Sequence, residues 1–270
     1  MGGSHADGTR TMTGSDAGIL FAASAMAGAV NSIAGGGSLI TFPVLVWLGR
    51  EPILANATNT VSLSPGSLAA LHGYRRELTG LGQWVAWGTA PSIVGGVAGA
   101  LLLLQTPAQV FAWLVPWLIF FATLLFALSG PITAAARRRA GHTAPADGVP
   151  RDPWRPGPLF YQFLVSVYGG YFGAGVGILM LAALGLMGLS NIHRMNGLKN
   201  WGGICMNIIA AVMFAFSSLV NWPVALAMAA GAVLGGYLGS RAAQRVPQDL
   251  VRGAVVAIGL ISGLLLFLTR

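Results

Sequence analysis

Charge is scarce in this chain of 270 residues. Only 8% of its residues are Asp, Glu, Lys or Arg, against about 25% in an ordinary soluble domain. Seven residues are acidic, and none of them falls inside a long apolar run. Lysine occurs once, at Lys199, and cysteine once, at Cys205. A single cysteine excludes an intramolecular disulfide, and in an apolar stretch it reads as a small packing residue. The apolar runs also hold no histidine cluster. These absences argue against metal and acid–base chemistry. Neither a metal, nor a cofactor, nor an enzymatic activity is expected. A net charge of +8 and an isoelectric point near 10.8 resemble a nucleic-acid binder. The arginines, however, gather in short segments between apolar runs, as the positive-inside rule requires of a membrane protein. No nucleic-acid partner is expected.

What the chain has in abundance is hydrophobicity. Apolar residues make up 55% and mean hydropathy is +0.71. A helix needs roughly 20 apolar residues to cross a bilayer, and segments near 53–73, 84–104, 108–130, 197–220, 222–243 and 250–269 supply them. Two longer segments, 17–49 and 157–189, exceed one straight crossing and are interrupted by glycines. Thirty-nine glycines suit close helix packing in lipid. Tryptophans 84, 87, 113, 117, 154, 201 and 222 mostly flank the apolar runs, as an aromatic belt would. Residues 1–16 are polar, have no basic region or cleavage site, and read as a disordered tail rather than a signal peptide.

Residues 131–158 carry six prolines, five arginines and two aspartates. They read as a cytoplasmic linker between a first membrane repeat, 17–130, and a second, 159–270. An ungapped offset of 140 residues superimposes the halves. It sets Gly35-Gly36-Gly37 on Gly175-Val176-Gly177, Asn56 on Asn196, Asn59 on Lys199, Thr60 on Asn200 and Ser67 on Asn207. It also sets Gly95-Gly96-x-x-Gly99 on Gly235-Gly236-x-x-Gly239, small-residue faces suited to helix packing. If each long segment crosses once as a broken helix, each half has four crossings and the arginines divide 9 to 5. If it is a hairpin that returns to its own side, each half has three true crossings and the positive-inside rule is better obeyed. Only Arg10, Arg50 and Arg270 then lie opposite the other arginines. An odd number of crossings per half makes the halves inverted copies. The expected fold is thus an all-α polytopic membrane protein of two inverted repeats. Each repeat is a glycine-broken re-entrant helical hairpin plus three transmembrane helices, with both termini outside.

Glycine-interrupted apolar segments at matching places in two halves point to a transporter site. Glycine at Gly35, Gly36, Gly37, Gly175 and Gly177 lets a ligand approach backbone. The helix starting near Ser38 would offer its N-terminal N–H groups and positive dipole end to an anion. The following segments carry polar residues on one helix face: Asn56, Asn59 and Thr60 in the first half, and Asn196, Lys199 and Asn200 in the second. Ser67 and Asn207 extend these faces and read as helix–helix hydrogen-bonding groups. A cation without an intramembrane carboxylate is expensive in hydrocarbon and marks a functional cavity. A negatively charged ligand would complete Lys199. Asn31 caps or lines the site, and His193 and Arg194 are candidates for a gate or entry. The expected partners are a small anionic substrate and the lipid bilayer, with a homodimer as an option.

Ala27-Gly28, Ala34-Gly35-Gly36-Gly37-Ser38-Leu39-Ile40-Thr41-Phe42-Pro43 and Ala55-Asn56-Ala57-Thr58-Asn59 resemble the TauE/SafE family, also called the TSUP permeases. Gly169–Gly177 and Asn196–Asn200 match in the second half. Val176 and Ala183 depart from the pattern there, so a differently shaped second hairpin is expected. The resemblance implies an inner, cytoplasmic-membrane carrier that exports sulfite or organosulfonates such as sulfoacetate. An anion channel, or a carrier for another small anion, is the alternative. With no intramembrane carboxylate to carry protons, uniport is expected, or symport with a proton borne by the substrate.

Overall fold

The computed structural model describes residues 13–33, 35–141, 153–242 and 248–268. The described residues form ten α-helices and one short 3₁₀ turn, with no strand. In chain order the helices are α1 (Gly14–Ile33), α2 (Ser38–Trp47), α3 (Pro52–Tyr74), α4 (Gly82–Gln105), α5 (Ala108–Gly141), α6 (Pro156–Tyr171), α7 (Val176–Leu186), α8 (Ile192–Ala215), α9 (Trp222–Ala242) and α10 (Gln248–Leu268). The 3₁₀ turn, Arg75–Leu78, follows α3. Each of α1–α5 has its counterpart, α6–α10, close to 140 residues later.

Matching local chemistry ends the matching helices. After α2, Arg50 N–H bonds Leu45 C=O and Gly49 N–H bonds Val46 C=O. After α7, Leu189 N–H bonds Leu184 C=O and Gly188 N–H bonds Gly185 C=O. Both are Schellman closures, with Gly49 and Gly188 at φ +81° and +96°. Helix α8 starts at Asn191, whose Oδ1 accepts from the N–H groups of His193 and Arg194. Helix α1 starts three residues inside the expected tail. There Thr13 and Asp16 exchange side-chain-to-backbone hydrogen bonds, a capping box that the tail's polarity concealed. Likewise α5 continues past the apolar stretch to Gly141, into the expected linker. The rest of the tail (1–12) and of the linker (142–152) lies outside the described residues, as do Ala34 and Pro247.

Five helices are long and apolar enough to cross a membrane: Gly82–Gln105, Ala108–Ile132, Ile192–Ala215, Trp222–Arg241 and Val251–Leu268. Helix α3 has the length, 23 residues, but Asn56, Asn59, Thr60, Ser62, Ser64 and Ser67 dilute its apolarity. Helices α2 and α7, with 10 and 11 residues, are too short to cross. Each of them instead folds back on the helix before it. Gly37 lies against the backbone of Ala27. Leu186 and Met187 share a cleft with Arg155 and Gly157, so the end of α7 stands beside the start of α6.

The direction of the counterpart helices follows from their contacts. Along α5 and α10, Trp117 meets Phe267, Phe120 meets Gly263 and Thr123 meets Gly259, so the two run antiparallel. The turn after α3 (Glu77, Leu78) packs on Gly197, near the start of α8. The loop after α8 returns the arrangement, with Asn221 N–H donating to Thr58 Oγ1 near the start of α3 at 3.0 Å. Helices α3 and α8 are therefore antiparallel too, and Arg75 and Arg76 stand at the same end of the bundle as Arg194.

The halves interleave. Helix α9 runs along α1, and α4 along α6. Glycine makes both approaches close: a Cβ on Gly235 would strike the Ala25 carbonyl, and one on Gly99 the Val167 carbonyl. The two glycine motifs are thus backbone-to-backbone packing faces. The largest buried cluster joins α1–α5 with side chains of α7–α10.

Candidate functional site

A cavity of about 70 Å³ lies where the two helix breaks meet. At roughly 10–15 Å³ per water, it has room for a few waters or one small anion. The first break contributes Asn31, Gly35, Gly36 and Ser38, and the second Phe172, Gly173, Val176 and Gly177. A Cβ on Gly35 would stand 3.3 Å from Gly177 Cα, so the tips touch. Helix α5 backs them both: Phe126 fills the space where Gly36 lacks a side chain, and Ala122 packs on Gly175.

The breaks are shaped differently, as the interrupted triplet led us to expect. The first uses Gly35 and Gly36 at φ +75° and +106°, the second Gly173 and Gly175 at +80° and +76°. Val176 stands where the first half has Gly36, and an L side chain resists positive φ. The second turn therefore takes its other left-handed residue three positions earlier. Asn31 supplies the cap of the first tip. Its Oδ1 accepts from Gly36 N–H at 2.9 Å and Gly37 N–H at 2.7 Å. Those two N–H groups are thus committed inside the protein, which corrects the expectation that they would reach a ligand directly. The positive end of α2 still faces the cavity through Ser38.

The helices after the breaks supply the walls. Helix α3 contributes Thr60, Leu63, Ser64 and Ser67. Helix α8 contributes Lys199, Asn200, Gly203, Ile204 and Asn207. Four positions of each wall coincide at the offset of 140; Lys199 is the addition. Its side chain is 3% exposed, and its Nζ has no hydrogen-bond partner among the described residues. Asn200 Nδ2 is likewise buried and without a partner. A buried donor without an acceptor costs free energy unless something else fills the place. The hydroxyls of Thr60, Ser64 and Ser67 donate to the carbonyls of Asn56, Thr60 and Leu63, one turn back. Hydroxyl rotors can turn from such bonds to an incoming acceptor.

Of the sequence-derived candidates, Asn31, Gly35, Gly36, Ser38, Thr60, Gly177, Lys199 and Asn200 share this cavity. The others do not line it. Asn56 Nδ2 donates across the halves to the Tyr171 carbonyl at 2.9 Å. Asn59 accepts from the Thr41 hydroxyl, which ties α3 to α2. Gly37 and Gly175 shape the tips. Asn196 is 6% exposed with an unpartnered Oδ1. His193 is exposed and Arg194 half-buried, at the start of α8 and away from the cavity. Ser67 and Asn207, set aside as packing groups, do line it. Their register with Thr60 and Asn200 on one helix face was the available signal. Among the described residues no His, Cys, Asp and Glu cluster of metal-binding size occurs.

The description of the sulfite exporter TauE/SafE family matches residues 20–266. The chain is 29% identical over 252 residues to the probable membrane transporter protein YfcA of Escherichia coli K12, covering 90% of this chain and 87% of that one. It is 30% identical over 250 residues to the probable membrane transporter protein ORF9 of a Sinorhizobium species, covering 90% and 88%. A probable membrane transporter protein of Haemophilus influenzae is 28% identical over 250 residues, covering 88% and 89%. No solved structure matches. The chain belongs to the TauE/SafE family and is a multi-spanning membrane protein of a transporter family.

Proposed function

We propose that this TauE/SafE member carries a small sulfur-containing anion, sulfite or an organosulfonate, across the inner membrane by alternating access. The observation that carries the reading is Lys199, a buried ammonium with no partner among the described residues, in a cavity between two helix breaks. An uncompensated cation in a low-dielectric bundle is costly, and an oxyanion would satisfy it together with Asn200 Nδ2. The positive end of α2 favours the same sign of ligand.

The antiparallel course of α3 against α8 and of α5 against α10 supports an inverted repeat, with its two-fold axis in the membrane plane. In such a fold the halves rock around a fixed central site. Arginines 75, 76 and 194 stand at one end of the bundle, which supports a cytoplasmic placement of that end and outer placement of both termini. Export, rather than import, follows the family's description.

Thermal stabilisation of the purified protein by sulfite, methanesulfonate, acetate and chloride tests the reading. Sulfur oxyanions should raise the Tm of the wild type and leave that of Lys199→Ala unchanged. An equal shift in both proteins would remove Lys199 from the site.

A further inference from the structure

The pseudo-symmetry of the cavity is broken at one charged position. Thr60, Leu63, Ser64 and Ser67 on α3 mirror Asn200, Gly203, Ile204 and Asn207 on α8. The residue that would mirror Lys199 is Asn59. It is 1% exposed, its Oδ1 is bound by the Thr41 hydroxyl, and it does not reach the cavity. Among the described residues the wall therefore holds one cation, no carboxylate and otherwise neutral groups.

We infer that the site selects singly charged anions over doubly charged ones: alkanesulfonates and, for sulfite, its hydrogen sulfite form, but not sulfoacetate, whose carboxylate adds a second charge. This inference rests on the anion-site reading above and adds the charge of the substrate to it. A monoanion on Lys199 leaves the cavity neutral. A dianion of the same shape leaves one negative charge without a full countercharge, which the amide and hydroxyl dipoles and the positive end of α2 offset only in part. The asymmetry has a second consequence. A lysine introduced at Thr60, a cavity position on the opposite wall, supplies the missing cation.

Methanesulfonate and sulfate are close in size and tetrahedral about sulfur, and differ by one charge. Their affinities, measured by calorimetry on the purified full chain, test the inference in wild type, Lys199→Met and Thr60→Lys. The wild type should bind methanesulfonate at least about tenfold tighter than sulfate, the scale of an uncompensated buried charge. Lys199→Met should bind neither, and Thr60→Lys should narrow or reverse the ratio. Equal or tighter binding of sulfate by the wild type, lost in Lys199→Met, would overturn the charge selectivity while leaving the anion site standing. Binding of neither anion, or of both undiminished in Lys199→Met, would overturn the site itself and the selectivity with it. The wild-type ratio decides even if Thr60→Lys does not fold.

Discussion

Gly35 and Gly177 meet at the tips of the two helix breaks, where a Cβ added to Gly35 would stand 3.3 Å from Gly177 Cα. These two residues bring the N-terminal regions of α2 and α7, one from each half, to a single cavity. A side chain at Gly35 would press on Gly177 Cα, which must give by a few tenths of an ångström. Gly35→Ala also places an L residue at φ +75°, which costs roughly 1–2 kcal/mol. We expect a lower Tm and weakened anion binding from this one methyl group, both read by thermal melting with and without methanesulfonate. An unchanged Tm and unchanged ligand shift would mean that the tips need not touch.

Asn31 holds the first tip by a single oxygen, which makes its two roles separable. Asn31→Ala removes the acceptor from Gly36 and Gly37 and should destabilise the protein by about 1 kcal/mol, the usual cost of losing a helix cap. Asn31→Asp keeps the acceptor and brings a negative charge into the cavity that holds Lys199. Melting should find Asn31→Asp close to wild type in stability, while calorimetry should find its anion affinity lost. Retained affinity would remove Asn31 from the surroundings of the bound anion.

The glycine faces of α4 and α9 work in packing alone. Gly235→Val and Gly99→Val drive a branched side chain into the backbone of α1 or α6. Overpacking of this kind typically costs 1–3 kcal/mol or more. Size-exclusion profiles in detergent should show aggregation or a loss of yield for both variants. A well-folded Gly235→Val with normal anion binding would contradict the interleaved arrangement of the halves.

The antiparallel counterparts fix which loops share a side. In a Cys205→Ala background, single cysteines at Thr79 and Ser190 should react with a membrane-impermeant reagent from the same side, the cytoplasm. Those at Arg50 and Ser218 should react from the other. Labelling of Thr79→Cys and Ser190→Cys from opposite sides would exclude the inverted repeat.

Much of this architecture was legible in the sequence, because it rests on local signals. The triplet Gly35–Gly37 marked a break in an apolar run too long for one crossing, and a lone lysine among apolar residues needs a cavity. Paired glycine motifs, together with the 140-residue register, anticipated the spacing at which α6–α10 follow α1–α5. The division of labour within the polar stripes was not legible. Asn56, Asn59 and Thr60 lie within five residues of one another. Yet only Thr60 reaches the cavity, while Asn56 turns to the Tyr171 carbonyl and Asn59 to Thr41. Those partners come from α6 and α2, and a helix face alone says nothing of which neighbour it meets. For the same reason Ser67 and Asn207 looked like packing residues. The early start of α1 was readable in Thr13-x-x-Asp16, but the polar composition around it outweighed the cap.

On this reading Lys199 holds the transported anion. Counterflow in proteoliposomes tests it most directly: labelled methanesulfonate outside, unlabelled inside, wild type against Lys199→Met. The substitution keeps a long unbranched side chain, one atom shorter, and removes the ammonium with its charge and its hydrogen-bond donors. We expect robust exchange by the wild type and none by Lys199→Met, with both proteins monodisperse and equally folded. Exchange by Lys199→Met at the wild-type rate would contradict the account, for the one charge in the cavity would then be without a role in transport.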